Sequence, residues 1–358
     1  MSIQRCTICS VLVLLVLSIL TVTGAVGSAQ AGARHDIDVN VGVLGGGSYA
    51  EDEADTWEEE GEITNTFAGL GYTFYFNEIR EEEIPNELKV FLQHPARLSA
   101  RISSSTYEED TEREYESGTM ADEDTRFETS VRDIRLSGSY YFPSNTGLGL
   151  ALTLGSGERE YEMGSDGTVT YAHDADEDRR RISLWVDQYL NEKHRLRFYY
   201  SNYLREFSYE DENGRSWDRD RTTDWFEFSY TAAYGGSFRF YLDLDFAYGQ
   251  AARDYETGRS DPSWDLYNFG LTFGPAFSRF AIYFYLDYTS WEPEDSDDTY
   301  DKYDLDYGLS PKVWFGDRVN LSFDLFGNLT YYDYPDAANT DGKTEATFGI
   351  EIALKVRF

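Results

Sequence analysis

Residues 345–358 read EATFGIEIALKVRF. From Ala346 onward every second residue is apolar: Ala346, Phe348, Ile350, Ile352, Leu354, Val356 and Phe358. Between them stand Thr347, Gly349, Glu351, Ala353, Lys355 and Arg357. A period of two places the first set on one face of a β-strand and the second on the other. A soluble sheet with one face on a core shows the same pattern, so the rest of the chain must choose between a core and a bilayer.

The alternation recurs along the whole chain. It runs over Ile37–Val43, Ala68–Phe76, Leu98–Ile102, Ile134–Phe142, Leu148–Leu154, Ile182–Val186 and Leu196–Tyr200. It continues over Phe226–Tyr230, Phe238–Tyr248, Tyr267–Phe273, Phe280–Tyr288, Tyr303–Leu309 and Val319–Tyr331. With the final run this gives about fourteen strands. Short turns at Pro143–Thr146, Asn191–His194, Gly235–Ser237, Gly274–Ser278 and Phe315–Arg318 alternate with long acidic stretches at 51–60, 107–118, 164–178 and 292–298. Short turns on one side and long loops on the other is the layout of a transmembrane antiparallel β-barrel. An even strand number returns both ends of the barrel to the short-turn, periplasmic side.

Aromatic residues mark two rims. Phe76, Phe142, Tyr234 and Phe358 fall on outward phases beside short turns, and Tyr248, Tyr288, Tyr303 and Tyr331 on outward phases beside the long ones. Rings of this kind settle at the headgroup level of a membrane, and a soluble sandwich has no use for two such rims.

The first 31 residues read as a secretory signal peptide. Arg5 supplies the positive n-region, Val11–Leu20 the apolar run and Ala29-Gln30-Ala31 the cleavage pattern. Cys6 and Cys9 are the only cysteines and lie inside it, so thiolate zinc sites and cysteine nucleophiles are excluded from the expected mature part, 32–358. All 66 acidic residues and 30 of the 31 Lys and Arg also lie there. An excess of 36 carboxylates makes nucleic acid an unsuitable partner, because phosphate binding needs a basic face.

In these features the chain resembles Gram-negative outer-membrane β-barrel proteins, whose last strand alternates and ends in Phe. The resemblance implies location in the outer membrane, in contact with its lipid and with lipopolysaccharide. It also implies that Ile350, Ile352, Leu354, Val356 and Phe358 form the assembly signal read by periplasmic chaperones and the barrel assembly machinery. Fourteen strands is similar to monomeric porins and to long-chain fatty-acid channels. The latter carry an N-terminal hatch, for which there is no room here, since the first strand is expected near His35.

Inward positions are those opposite the apolar phase. Arg97, Arg101, Arg135, Arg181, Arg195 and Arg197 fall there in the earlier strands; Asp243, Asp245, Asp287, Asp304, Asp306 and Asp324 fall there in the later ones. In a closed barrel these become a basic arc facing an acidic arc, the arrangement by which pores select solutes. The expected function is a passive, porin-like channel for small hydrophilic solutes or ions, preferring cations, with no cofactor. The alternative is a structural or adhesive barrel whose acidic loops hold divalent cations or lipopolysaccharide.

An outer-membrane enzyme is the third reading. Its histidine would have to be His35, His94, His173 or His194, and none is expected on an inward strand face beside a nucleophile. His173 with Asp174, Asp176 and Asp178 is a weak metal candidate, most simply read as a solvated loop. Residues 156–178 are the candidate constriction, by analogy with porins. The connection 77–97, with Leu88, Phe91 and Leu92 at helical spacing, reads either as a cover of the lower rim or as a periplasmic plug or partner contact.

Overall fold

The computed structural model describes residues 33–52, 57–79, 88–115, 122–165, 168–211, 216–235, 239–255, 263–293, 301–333 and 340–358. The expected signal peptide, 1–31, lies outside them. Fourteen strands form one closed antiparallel barrel in which each pairs with its sequence neighbours. They are β1 (Ala33–Asp52), β2 (Trp57–Ile79), β3 (Arg97–Tyr115), β4 (Glu123–Tyr141), β5 (Thr146–Ser165), β6 (Thr168–Asn191) and β7 (His194–Asp211). The other seven are β8 (Ser216–Gly235), β9 (Arg239–Tyr255), β10 (Ser263–Ala276), β11 (Phe280–Pro293), β12 (Asp301–Phe315), β13 (Val319–Asp333) and β14 (Thr340–Arg357). One short helix, α1 (Lys89–Gln93), stands between β2 and β3.

The terminal strand seals the sheet. Val356 lies opposite Ile37 on β1 and Val319 on β13, and the register continues to Ala346 opposite Gly47 and Leu329. The seam ends in a reciprocal pair of backbone bonds between His35 and Phe358, both 2.8 Å. Closure leaves no unpaired sheet edge, the condition for a β-structure to survive in lipid.

The outward phases form an apolar belt. Leu70, Ile102, Leu136, Leu150, Phe226 and Phe246 are each more than half exposed. The opposite phases carry the charged and small residues. Among the described residues no helix is long and apolar enough to cross a membrane; the strands cross instead.

The acidic stretches read as loops are largely wall. β1 and β2 pair up to Glu51 opposite Glu58, and β2 with β3 up to Trp57 opposite Tyr115. The candidate constriction at 156–178 is the β5–β6 hairpin. Its register runs from Ser156 opposite Asp178 to Ser165 opposite Thr168, with one shift at Met163/Gly164. It therefore extends the barrel upward and does not fold across it. Above the belt both faces of a strand meet water, so both are polar and the two-residue signal vanishes while pairing continues. The stretch at 294–298 lies outside the described residues.

Candidate lumen and its periplasmic closure

All twelve charged residues expected to face inward lie on phases opposite the belt. The arginines stand on β3, β4, β6 and β7 and the aspartates on β9, β11, β12 and β13, so strand order sets the two groups on facing walls.

The basic wall is only partly free. Arg197 donates to both oxygens of the fully buried Asp187 at 2.7 and 3.0 Å. Arg195 donates to Thr231 Oγ1 at 2.6 Å, and Thr231 donates on to Asp243 at 2.6 Å, so the two arcs meet through one hydroxyl. Arg181 reaches Ser201 Oγ at 3.1 Å, and Arg101 reaches Asn40 Oδ1 at 2.6 Å. Arg97 stands opposite Tyr75 and Ser139, and Arg135 opposite Arg101.

The acidic wall is satisfied chiefly by neutral donors. Asp243 also accepts from Tyr241 at 3.1 Å, Asp287 from Asn268 at 2.6 Å and Asp306 from Asn328 at 2.8 Å. Asp304 takes Thr330 at 2.6 Å and also Lys302 at 3.1 Å. One oxygen of Asp324 is buried without a hydrogen-bond partner. Asp245, Gly270, Asp287 and Asp306 form one cross-strand row. Gly270 has no side chain to hold the two neighbouring carboxylates apart: a Cβ there would come within 3.0 Å of Asp287 Oδ2 and 3.2 Å of Asp245 Oδ2.

Several decisive partners escaped the sequence reading. Higher in the lumen, Glu177 is fully buried and pairs with Arg159, Arg179 and Arg205. Near the periplasmic end Asp36 is equally buried. It holds Arg357 at 2.9 Å and accepts from Tyr75 at 2.9 Å, tying β1, β2 and β14 together. Asp187 was within reach of sequence reasoning, because the turn at Asn191–His194 sets it opposite Arg197. Glu177 and Asp36 were not, because their partners come from strands whose register no local turn dictates.

The described part of the connection between β2 and β3 packs inside the lower end of the barrel. Leu88 is buried against Ala233, Ala276, Ala281 and Tyr283, with Phe91, Leu92 and Tyr241 around it. Phe91 packs on Tyr189 and Tyr241 at ring distances of 5.9 and 6.4 Å, with the Arg195 guanidinium 5.5 Å from its face. His94 lies on Tyr189 at 3.5 Å. Lys89 is buried and reaches Asp317, in the β12–β13 turn, at 3.6 Å. A segment leaving β2 thus touches β6, β8, β9, β10 and β11, most of the way across the barrel. The described part of this connection, 88–96, therefore lies against the inner wall at the lower end of the barrel and not beneath the rim.

His173 lies on β6, in wall rather than loop. Its ring sits among Tyr161, Tyr171, Tyr209 and Trp217. Asp174, Asp176 and Asp178 alternate onto the outer face, where they are exposed. The metal candidate is thereby split, and no group of acidic, His and Cys residues among the described residues is arranged to hold a metal ion.

A closed barrel with a lipid-facing belt, aromatic rims and a charged interior defines an outer-membrane β-barrel. No protein-family model matches the chain, and no curated protein matches it either. Solved structures of similar fold include a deltaS2S3 mutant of the TodX monoaromatic hydrocarbon channel, with TM-score 0.59 and 10% identity over 92% of this chain and 91% of that one. A Pseudomonas aeruginosa FadL homologue gives TM-score 0.52 at 10% identity over 91% and 90%. At such identity the likeness is one of fold.

Proposed function

We propose that the chain is a passive outer-membrane channel for small hydrophilic solutes or ions, cation-preferring when open and closed toward the periplasm while residues 88–96 are seated. The observation that carries this reading is the imbalance between the walls. On one side Arg197 is paired with the buried Asp187, and Arg159, Arg179 and Arg205 with the buried Glu177, whereas Asp287 and Asp306 of the facing acidic row are met by neutral donors. A low-dielectric wall focuses that field on the lumen. The hydrocarbon cargo named for the TodX channel suits this interior poorly, because a desolvated apolar solute would have to pass uncompensated charge.

The test is the reversal potential of the refolded protein in a salt gradient. Cation preference should be strongest at low ionic strength. The combined variant Asp243→Asn, Asp245→Asn, Asp287→Asn and Asp324→Asn should shift it toward anions, and Arg195→Gln with Arg197→Gln toward cations. Well-folded protein that never gives conductance steps would remove the channel reading.

A specific observation also favours the adhesive alternative. Glu108, Glu128, Glu160, Asp174 and Glu210 form one directly opposed row across β3 to β7, on outward phases above the belt. Like charges directly opposite destabilise a sheet, and divalent cations shared with lipopolysaccharide phosphates would relieve the strain. The support sought is magnesium-dependent binding to lipopolysaccharide vesicles that is lost when Glu128, Glu160 and Asp174 become their amides.

A further inference from the structure

The acidic side of the inner wall also carries aromatic rings. Tyr285, Gly308, Phe326, Gly349 and Leu44 follow one another directly opposite across β11, β12, β13, β14 and β1, all on the inward phase. Each ring is laid along the wall over the glycine beside it: the Tyr285 ring takes the space of a Cβ at Gly308, and the Phe326 ring that of a Cβ at Gly349. From the other side Phe67 on β2 covers Gly42 on β1 in the same way. Phe67 and Phe326 therefore lean toward each other over the closing seam of the barrel, with ring centroids 6.3 Å apart at 48°. All three rings remain partly exposed, and exposure on this phase is exposure to the lumen.

Carboxylates border this strip on both sides. One inward position toward the periplasm, Asp324 stands directly opposite Glu351, and Glu351 opposite Gly42. Glu351 is thus placed between the ends of the two Phe rings, with Phe67 over Gly42 facing it and Phe326 over Gly349, two residues along β14. One inward position toward the outside, Asp287 stands directly opposite Asp306. Inward positions are two residues apart, about 7 Å along a strand, so the rings lie within reach of both acidic pairs. Directly opposed like charges cost a sheet stability. The hydrogen bonds present leave that charge in place: Glu351 accepts from Asn40 at 2.9 Å, Asp287 from Asn268 and Asp306 from Asn328, and one oxygen of Asp324 is buried without a hydrogen-bond partner. Arg101 reaches this group only through Asn40, to which it donates at 2.6 Å, and the Lys312 ammonium lies 5.4 Å over the ring of Tyr283.

Rings and carboxylates together attract one class of ligand, a cation whose charge is wrapped in apolar groups: the ring quadrupole and the carboxylates draw the charge, and the ring body takes the apolar part. A bare metal ion is not served, since no group of acidic, His and Cys residues among the described residues is arranged to hold one. We infer that Phe67, Phe326, Tyr285, Glu351 and Asp324 form a subsite on the lumen wall for an organic ammonium ion with an apolar or aromatic substituent. The inference rests on the channel reading for its role, naming the class of cation the lumen favours, while its binding is measured apart from conduction.

The experiment is calorimetric titration of the refolded chain at low ionic strength with benzyltrimethylammonium and, separately, with its two halves, tetramethylammonium and benzyl alcohol. Saturable binding of benzyltrimethylammonium, at least tenfold tighter than either half, is expected. Glu351→Gln and Phe326→Leu should each weaken it at least fivefold, whereas Glu206→Gln, on the outer face and paired with Arg180, should leave it unchanged. Asp324→Lys supplies the cation from within: it should abolish binding and raise the thermal midpoint of the barrel. Absence of saturable binding, an affinity for either half equal to that for the whole ion, undiminished binding in both Glu351→Gln and Phe326→Leu, or a lowered midpoint in Asp324→Lys would each overturn the assignment. Conductance without such binding removes the subsite alone; binding without conductance removes the channel alone.

Discussion

At the residue scale the barrel is held by buried ion pairs that bridge strands. Asp36 and Arg357 have side chains 1% and 4% exposed and join the first strand to the last; Trp314 covers the guanidinium at 5.1 Å. Removing one partner of a buried pair strands the other charge, typically at about 3–5 kcal/mol. Asp36→Ala should therefore lower the urea midpoint of the refolded barrel by a stability loss of that order. Exchanging the pair for a well-packed apolar couple, Asp36→Leu with Arg357→Met, should recover most of it. Glu177→Ala should behave like Asp36→Ala, since three arginines then confront one another around Phe207, with Arg159 4.5 Å and Arg205 5.1 Å from its ring. Little of this was legible in the sequence. The inward phase of each charge followed from alternation, but its partner depends on long-range register.

At the scale of elements, the informative one is the segment around α1. Its helical spacing at Leu88, Phe91 and Leu92 was legible, because a 3.6-residue period interrupts a chain otherwise of period two. Its destination was not, since nothing local says whether an apolar face lies under the rim or within the lumen. Burying Leu88 and Phe91 contributes about 1.5–3 kcal/mol for each side chain at most, enough to hold the segment and small enough to be overcome. Leu88→Asp should raise the open probability in planar bilayers, while a disulfide between Phe91→Cys and Tyr241→Cys should abolish conductance until reduced. The seat is also sensitive to acid. Burial pulls the His94 imidazole down to about 4, with Arg195 adding to the effect while Asp187, Glu192 and a backbone bond at Phe91 oppose it. A histidine depressed below its ordinary value of about 6.5 stabilises the seated state fully above that pH and loses the contribution as pH falls toward 4. Opening should therefore increase between pH 6.5 and 4. His94→Asn keeps a residue tolerant of the left-handed backbone at this position (φ 47°) and should flatten that dependence.

At the scale of the whole molecule, strand number, direction and belt were legible because lipid enforces a strict alternation, and that constraint ends where the membrane ends. This is why β6 runs 24 residues while β10 and β11 run 14, although the alternation legible in β6 spans only Ile182–Val186. At about 3.3 Å per residue, 14 residues already cross a hydrocarbon core of about 30 Å at the usual tilt, so the extra length of β6 stands in water as wall. Single cysteines placed along 239–248 should label alternately from lipid and from the aqueous lumen, because Phe240, Phe246 and Tyr248 face out while Asp243 and Asp245 share the inward phase. Uniform labelling over consecutive positions would contradict the barrel. The seam gives the sharpest test of the whole assembly. Phe358 stacks on His35 with ring centroids 5.3 Å apart, beside the backbone pair that closes the sheet. Phe358→Asp exchanges that contact for a charge at the foot of the last strand, and it also alters the residue proposed to be read during assembly. If the ring serves only the finished seam, the variant should refold in detergent with a modestly lowered midpoint and assemble in cells at a matching yield. If the terminal strand is a recognition signal, refolding in detergent should proceed while heat-modifiable barrel in the outer membrane drops several-fold. The second outcome is expected, and equal losses in both measurements would assign Phe358 to the seam alone.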